Sequence, residues 1–221
     1  MEFLNHHIKL AIFDLDGTLI DSTSLWSDID SIFFKRRNME IPFNYGKEIA
    51  HLGLLNAAKL TKEKYLPNEE IDDILKEWHD LALEAYQYHI NLKENSLEVL
   101  EFLKEKGVKI ALATANSEEL YLPLLKRLNI GKYFSIITDV NSCKDGKNSS
   151  EIYDKIAAFF RVNKDETLIF EDMLTAQKTA YKAGYIVIGV YDKNSVVNIL
   201  DNQKYSHLYI DNFKSFIKQV K

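Results

Sequence analysis

The sequence predicts an α/β protein: a doubly wound parallel sheet interrupted near its start by an all-helical insertion. Short apolar runs rich in β-branched residues alternate with longer segments of helical spacing over most of the chain, as in parallel strands joined by crossover helices. From about Ser24 to Asn91 that alternation stops, and only helical patterns remain.

In chain order, Ile8 to Phe13 is the first strand candidate. The insertion follows, with apolar faces at Leu25, Ile29, Ile32 and Phe33 and at Ile71, Ile74, Leu75, Trp78 and Leu81; Pro42 and Pro67-Asn68 divide it into about four helices, because proline and its predecessor resist continuing a helix. The expected division is residues 1–22 and 92–221 for the α/β core and 23–91 for the helical domain. After the insertion, Ser96 to Lys106 reads as a helix, with Ser96 as its cap before the Leu97, Leu100, Phe102 and Leu103 face and Gly107 as its stop. Further strands are expected at Lys109 to Thr114, Phe134 to Thr138, Thr167 to Phe170, Ile186 to Val190 and Leu208 to Ile210. Helices are expected at Glu118 to Leu128, Ser150 to Phe160 and Leu174 to Ala183, the last ended by Gly184. A sheet of this kind binds ligands at the carboxyl ends of its strands.

Composition narrows the function classes. With 46% hydrophobic and 28% charged residues, a chain of 221 residues can bury a substantial core. No apolar stretch approaches the roughly 18 residues of a membrane span, so no membrane partner is expected. Met1 to Lys9 lacks the basic, apolar and small-residue order of a signal peptide, and Cys143 is the sole cysteine; both suit a cytoplasmic protein. A formal charge of -5 works against nucleic-acid binding, and Lys35-Arg36-Arg37 is too short a cluster to reverse that. The expected partner is a small molecule, and the expected assembly is a monomer or small homo-oligomer.

Four segments carry chemistry. Phe13-Asp14-Leu15-Asp16-Gly17-Thr18-Leu19 puts two acids where a buried strand emerges, a costly arrangement unless something binds them; Asp-Gly alone would read as a turn. Thr114, Ala115 and Asn116 end another strand, where a hydroxyl and the following backbone N–H groups can hold phosphate oxygens, although such a Thr by itself is more often a cap. Lys147 follows Gly146 in a loop, and Glu171 and Asp172 end the strand Leu168-Ile169-Phe170.

In this order the segments resemble the four motifs of the haloacid dehalogenase-like hydrolase superfamily, in particular its branch of small-molecule phosphatases and β-phosphoglucomutase-like proteins. The first motif of that family reads Asp-x-Asp-Gly-Thr/Val, which Asp14 to Thr18 matches in full, and the resemblance extends over nearly the whole chain. It implies a Mg²⁺-dependent phosphatase that hydrolyses a small phosphorylated metabolite through an aspartyl phosphate on Asp14, with Asp16 as general acid and then base. It also implies that Thr114, Ala115, Asn116 and Lys147 hold the phosphate. Metal ligands would be Asp14, the backbone carbonyl of Asp16, Asp172, and Glu171 directly or through water.

Two segments depart from the pattern. The usual Gly-Lys-Pro-x-Pro-Asp is Gly146-Lys147-Asn148-Ser149-Ser150-Glu151 here, without either proline or the Asp, and Lys144 is a rival for the lysine's role; Met173-Leu174-Thr175-Ala176 replaces the family's Ser-x-x-Gly. The insertion matches the position of the family's helical cap, which usually selects the substrate. Its candidate contacts are Trp26, Arg36, Arg37, Tyr45, Lys47 and His51. A sugar phosphomutase, with Lys47 on a second phosphate, and a catalytically silent module are the alternatives.

Overall fold

The computed structural model describes residues 1–49, 52–139, 143, 146–193 and 199–220. The chain divides into two units, one made of Met1–Thr23 and Ile90–Lys221, the other of Ser24–His89. Sequence candidates His51 and Lys144 lie outside the described residues.

The first unit begins with a short antiparallel hairpin of β1 (Glu2–Phe3) and β2 (His6–His7), then β3 (Leu10–Phe13). The second unit holds α1 (Leu25–Arg36), α2 (Tyr45–Ile49), α3 (Gly53–Lys64) and α4 (Ile71–Glu84), the last running into a π-helical turn, Ala85–His89. Back in the first unit come α5 (Ser96–Glu105), β4 (Lys109–Thr114), α6 (Glu118–Arg127) and β5 (Ile136–Asp139). They are followed by α7 (Glu151–Phe160), β6 (Thr167–Glu171), α8 (Leu174–Lys182) and β7 (Ile186–Val190). The chain closes with α9 (Ile199–Lys204), β8 (Leu208–Ile210) and α10 (Phe213–Val220). Among the described residues no helix is long and apolar enough to cross a membrane.

Strands β5-β4-β3-β6-β7-β8 form one parallel sheet in that order. Every residue of β3, β6 and β7 is buried, because crossover helices cover both faces and leave no solvent side. The alternation of side chains along β3 sends Leu10 and Ile12 into a cluster with Ile152, Tyr153 and Ile156 of α7 and Ala180 of α8. Phe13 points the other way. Its ring stacks on Phe170 at 4.2 Å, and Phe213 of α10 packs against both. Each fully buried phenylalanine here contributes roughly 1.5–3 kcal/mol of burial free energy.

Several elements differ from the sequence reading. Ser96 is the first residue of α5 and caps nothing: its hydroxyl donates to the Leu19 carbonyl at 2.8 Å inside the core, and Asn95, in the left-handed region, precedes the helix. The first strand starts at Leu10, since Ile8 belongs to the exit of the hairpin, whose turn residues Leu4 and Asn5 both have positive φ. On α1 the buried face runs through Phe34, and Ile32 is exposed. Gly107 and Gly184 do follow their helices with φ of +72° and +93°.

Within the second unit, Phe33 lies edge-on to Trp78 and Phe34 edge-on to Tyr45, a small aromatic core of its own. Arg37 stacks over the Phe33 ring at 3.7 Å and forks onto Glu69 through two 2.6 Å hydrogen bonds, with a third to Glu77 at 2.7 Å.

Candidate active site

The strand order puts β3 between β4 and β6, so the residues just past these strands share one edge of the sheet. Phe13 stands opposite Leu112 on one side and Phe170 on the other. The backbone N–H of Asp14 extends the ladder by donating to the Phe170 carbonyl at 3.0 Å. Asp14 therefore emerges between the end of β4, where Thr114 is fully buried, and the end of β6, where Glu171 and Asp172 are buried.

Asp14, Glu171 and Asp172 each offer a carboxylate oxygen, all within 4.8 Å of one another. Lys147, carried by a single 3₁₀ turn before α7, donates to Asp14 and, at 2.8 Å, to Glu171. Burial alone would lower the Lys147 ammonium, but the charges of Asp14 and Glu171 win and hold it well above the ordinary lysine range. Glu171 is pushed up to about 8 by burial and by the charges of Asp14 and Asp172, with Lys147 only partly offsetting them. Three buried acids thus share one ammonium. That excess of negative charge, on hard oxygen donors, fits a small divalent cation.

Asp16 is kept apart from this trio. Its carboxylate accepts from Ser22 Oγ at 2.6 Å on one oxygen and from the side-chain amide of Asn116 on the other. Asn116, expected on a phosphate, thus directs its side chain to Asp16, while its backbone N–H donates to Thr114 Oγ1 at 3.1 Å. Between the two acids the chain reverses through Gly17, at φ +76°. A Cβ there would lie 2.4 Å from Asp172 Oδ2, so this position excludes every side chain on two grounds.

The residues that hold the site were less visible in the sequence. Thr18 Oγ1 donates to Asp172 at 3.0 Å, and Tyr153 Oη to Glu171 at 3.4 Å. Gln177, fully buried, donates to the Glu171 and Asp172 carbonyls at 2.8 and 3.2 Å, and Asn202 adds a bond to the Asp172 carbonyl at 3.2 Å. These amides anchor the turn from β6 into α8 at which Met173 stands. Around Lys147 the missing prolines are replaced by a local brace: Ser150 Oγ donates to Asp154 at 2.7 Å, and Asp154 also accepts from Tyr185 at 2.7 Å. Lys93 Nζ ties the Gly17 and Tyr191 carbonyls together at 2.7 Å each and pairs with Asp192 at 3.1 Å.

Of the candidate contacts in the second unit, Arg36 and Arg37 are taken up by Glu77 and Glu69, and Tyr45 is core, bonded to Thr61 at 2.8 Å. Lys47 is exposed, and Trp26 is 47% exposed beside a cavity.

The chain is similar to known proteins in sequence and in fold. The sequence profile of haloacid dehalogenase-like hydrolases matches residues 11–190. A phosphorylated carbohydrates phosphatase of Thermotoga maritima is 27% identical over 80% of this chain and 82% of its own length. A phosphoglycolate phosphatase of Pseudomonas fluorescens is 31% identical over 57% of this chain and 48% of its own. Among solved structures, a protein of Thermotoga maritima assigned as a β-phosphoglucomutase superposes with a TM-score of 0.85 at 22% identity, covering 97% of this chain and all 100% of that one.

Proposed function

We propose that this chain, which belongs to the haloacid dehalogenase-like hydrolase family, is a phosphatase of small phosphate monoesters in which Asp14 is the nucleophile. The observation that carries the proposal is the contrast between two acids two residues apart: Asp14 lies in a charged cluster with Lys147, whereas Asp16 is held aside by Ser22 and Asn116. We read the first as the acceptor of a phosphoryl group and the second as the group that moves a proton.

In the proposed reaction an Asp14 oxygen bonds to phosphorus as the ester oxygen leaves, and the Asp16 carboxyl gives that oxygen its proton. Asp16, now a carboxylate, takes a proton from water as the water attacks phosphorus, and the Asp14 carboxylate is released. Lys147 and Thr114 offset charge on the phosphoryl oxygens. Asp14, Glu171 and Asp172, with the Asp16 carbonyl, would hold Mg²⁺, which neutralises the phosphoryl charge when bound. Relatives named for carbohydrate phosphates and phosphoglycolate support a small substrate. The phosphomutase alternative needs a cation for a second phosphate, yet Arg36 and Arg37 are already paired and Lys47 faces solvent.

The test uses an aryl phosphate, whose leaving group needs little protonation. Asp14→Asn should show neither turnover nor covalent phosphorylation by intact mass. Asp16→Asn should still be phosphorylated, release a burst of phenol and then stall, because hydrolysis has lost its base. A phosphorylated Asp14→Asn protein would remove Asp14 from its role. Activity should also vanish on chelation, and turnover that survives thorough chelation would remove the metal from the proposal.

A further inference from the structure

We propose that the helical unit, Ser24–His89, carries a binding site for a small ammonium compound with an apolar body. The site is a cavity of about 450 Å³ whose lining includes Trp26, Asp30, Ile49, Leu54, Ala57 and Trp78. Small-molecule pockets span about 300–1,000 Å³ and set a few polar groups in an apolar wall, as here.

Asp30 is the reason for the charge. It is 8% exposed, it lines the cavity, and it takes part in no hydrogen bond or ion pair among the described residues. Tyr45 feels the charges of both Asp30 and Arg37, but Arg37 is committed to Glu69 and Glu77. Among the described residues no lysine or arginine lines the cavity. Burial pushes the Asp30 carboxyl up to about 6, so near neutral pH most molecules hold a carboxylate against an apolar space with no counter-ion.

The lining discriminates among occupants. A phosphate would meet a carboxylate and no cation. A polyol would meet the few polar groups of the lining, the Asp30 carboxylate, Ser27 and the Trp78 indole N–H, and would leave its other hydroxyls unpaired against Ile49, Leu54 and Ala57. An ammonium answers the carboxylate, and Trp26, one helical turn before Asp30 on α1, offers an indole face for the same charge. The compound is either a free metabolite or the alcohol part of a phosphate ester; the second source rests on the phosphatase proposal.

Both tryptophans of the chain line this cavity, so intrinsic fluorescence reports on its occupancy. The full chain is titrated with 2-phenylethylammonium and with 2-phenylethanol, its uncharged counterpart of similar size. The ammonium should give a saturable change and bind at least about tenfold more tightly than the alcohol, and Asp30→Asn should erase the preference. Absence of saturation with the ammonium, or equal binding of both probes by the unsubstituted protein, overturns the site.

Turnover of 4-(2-aminoethyl)phenyl phosphate against 4-ethylphenyl phosphate separates the sources. A preference for the amine that Asp30→Asn removes identifies the leaving alcohol. Equal turnover with fluorescence binding intact identifies a free ligand. No turnover of either ester counts against the phosphatase proposal and leaves the binding result standing.

Discussion

At the carboxyl edge of the sheet, buried carboxylates are answered: Asp14 and Glu171 by Lys147, Asp172 by Thr18, and Asp192 by Lys93 and Thr23. In the helical unit Asp30 is also buried, at 8% exposed, but has no partner among the described residues. The difference separates two uses of a buried charge. In the sheet unit the carboxylates meet ammonium groups and hydroxyls of the same unit, an arrangement that the proposed function puts to use on a phosphoryl group and a metal. In the helical unit the charge faces a cavity, and the proposed ligand would balance it.

Removing the centre of the braced cluster should have the largest effect. Lys147→Ala takes away the ammonium shared by Asp14 and Glu171 and, in the proposed reaction, the charge that offsets the phosphoryl oxygens, so turnover should fall roughly a hundredfold or more. The fold should survive, because burial and the charges of Asp14 and Asp172 already push the Glu171 carboxyl up, and it can take a proton once the ammonium is gone. Lys144→Ala should lose far less. Equal losses in steady-state assays of the two variants would mean that the brace does not centre on Lys147.

A smaller effect tests the support beneath the cluster. Gln177→Ala deletes a buried amide that donates to the Glu171 and Asp172 carbonyls, leaving Asn202 on the second of them. Urea unfolding should show a loss of about 1–3 kcal/mol. The concentration of Mg²⁺ needed for activity should also rise, by about 10–100-fold if Gln177 orients the two acids as outer partners of metal sites do. A stability loss with unchanged Mg²⁺ dependence would confine Gln177 to the fold.

The sheet unit was more legible than the helical one for physical reasons. Strands Lys109 to Thr114, Ile186 to Val190 and Leu208 to Ile210 run between the residues expected, because buried parallel strands are continuous apolar runs with sharp polar ends. Asp14 and Asp16 stood out because charge at the end of such a run is costly, and Glu171 and Asp172 through the family resemblance. Gln177 and Asn202 did not, since an amide on a helix looks like a surface residue until its helix is placed. The β1–β2 hairpin is two residues per strand, too short for any periodicity. Helix α10 was missed although Asn212 accepts from the Ser215 N–H, a cap three residues ahead that marks its start. In the helical unit the match to the family's cap position made Arg36 and Arg37 candidate substrate contacts, but Glu69 and Glu77, more than thirty residues away in sequence, pair with them. Long-range pairing of that kind has no local signature.

The smallest expected effect bears directly on the contrast between the units. Burial raises the Asp30 carboxyl from 3.8 to about 6, so the folded protein keeps that proton over a range where the unfolded chain has already released it. Stability therefore falls as pH rises from about 3.8 to about 6 and stays reduced above that. Asp30→Asn removes the charge without changing the shape. It should leave stability unaltered near and below pH 4 and increase it near pH 7 by about 1 kcal/mol, a modest figure because solvent reaching the carboxylate screens part of the penalty. The measurement is a series of urea unfolding curves at pH values spanning that interval, with the gap between the two proteins opening as pH rises. If the gap closes when 2-phenylethylammonium is present at neutral pH, the ligand supplies the missing partner to Asp30 and stabilises the unsubstituted protein alone. A variant that is less stable than the parent at pH 7 would instead mean that Asp30 is paired in solution, and the two units would then handle buried charge in the same way.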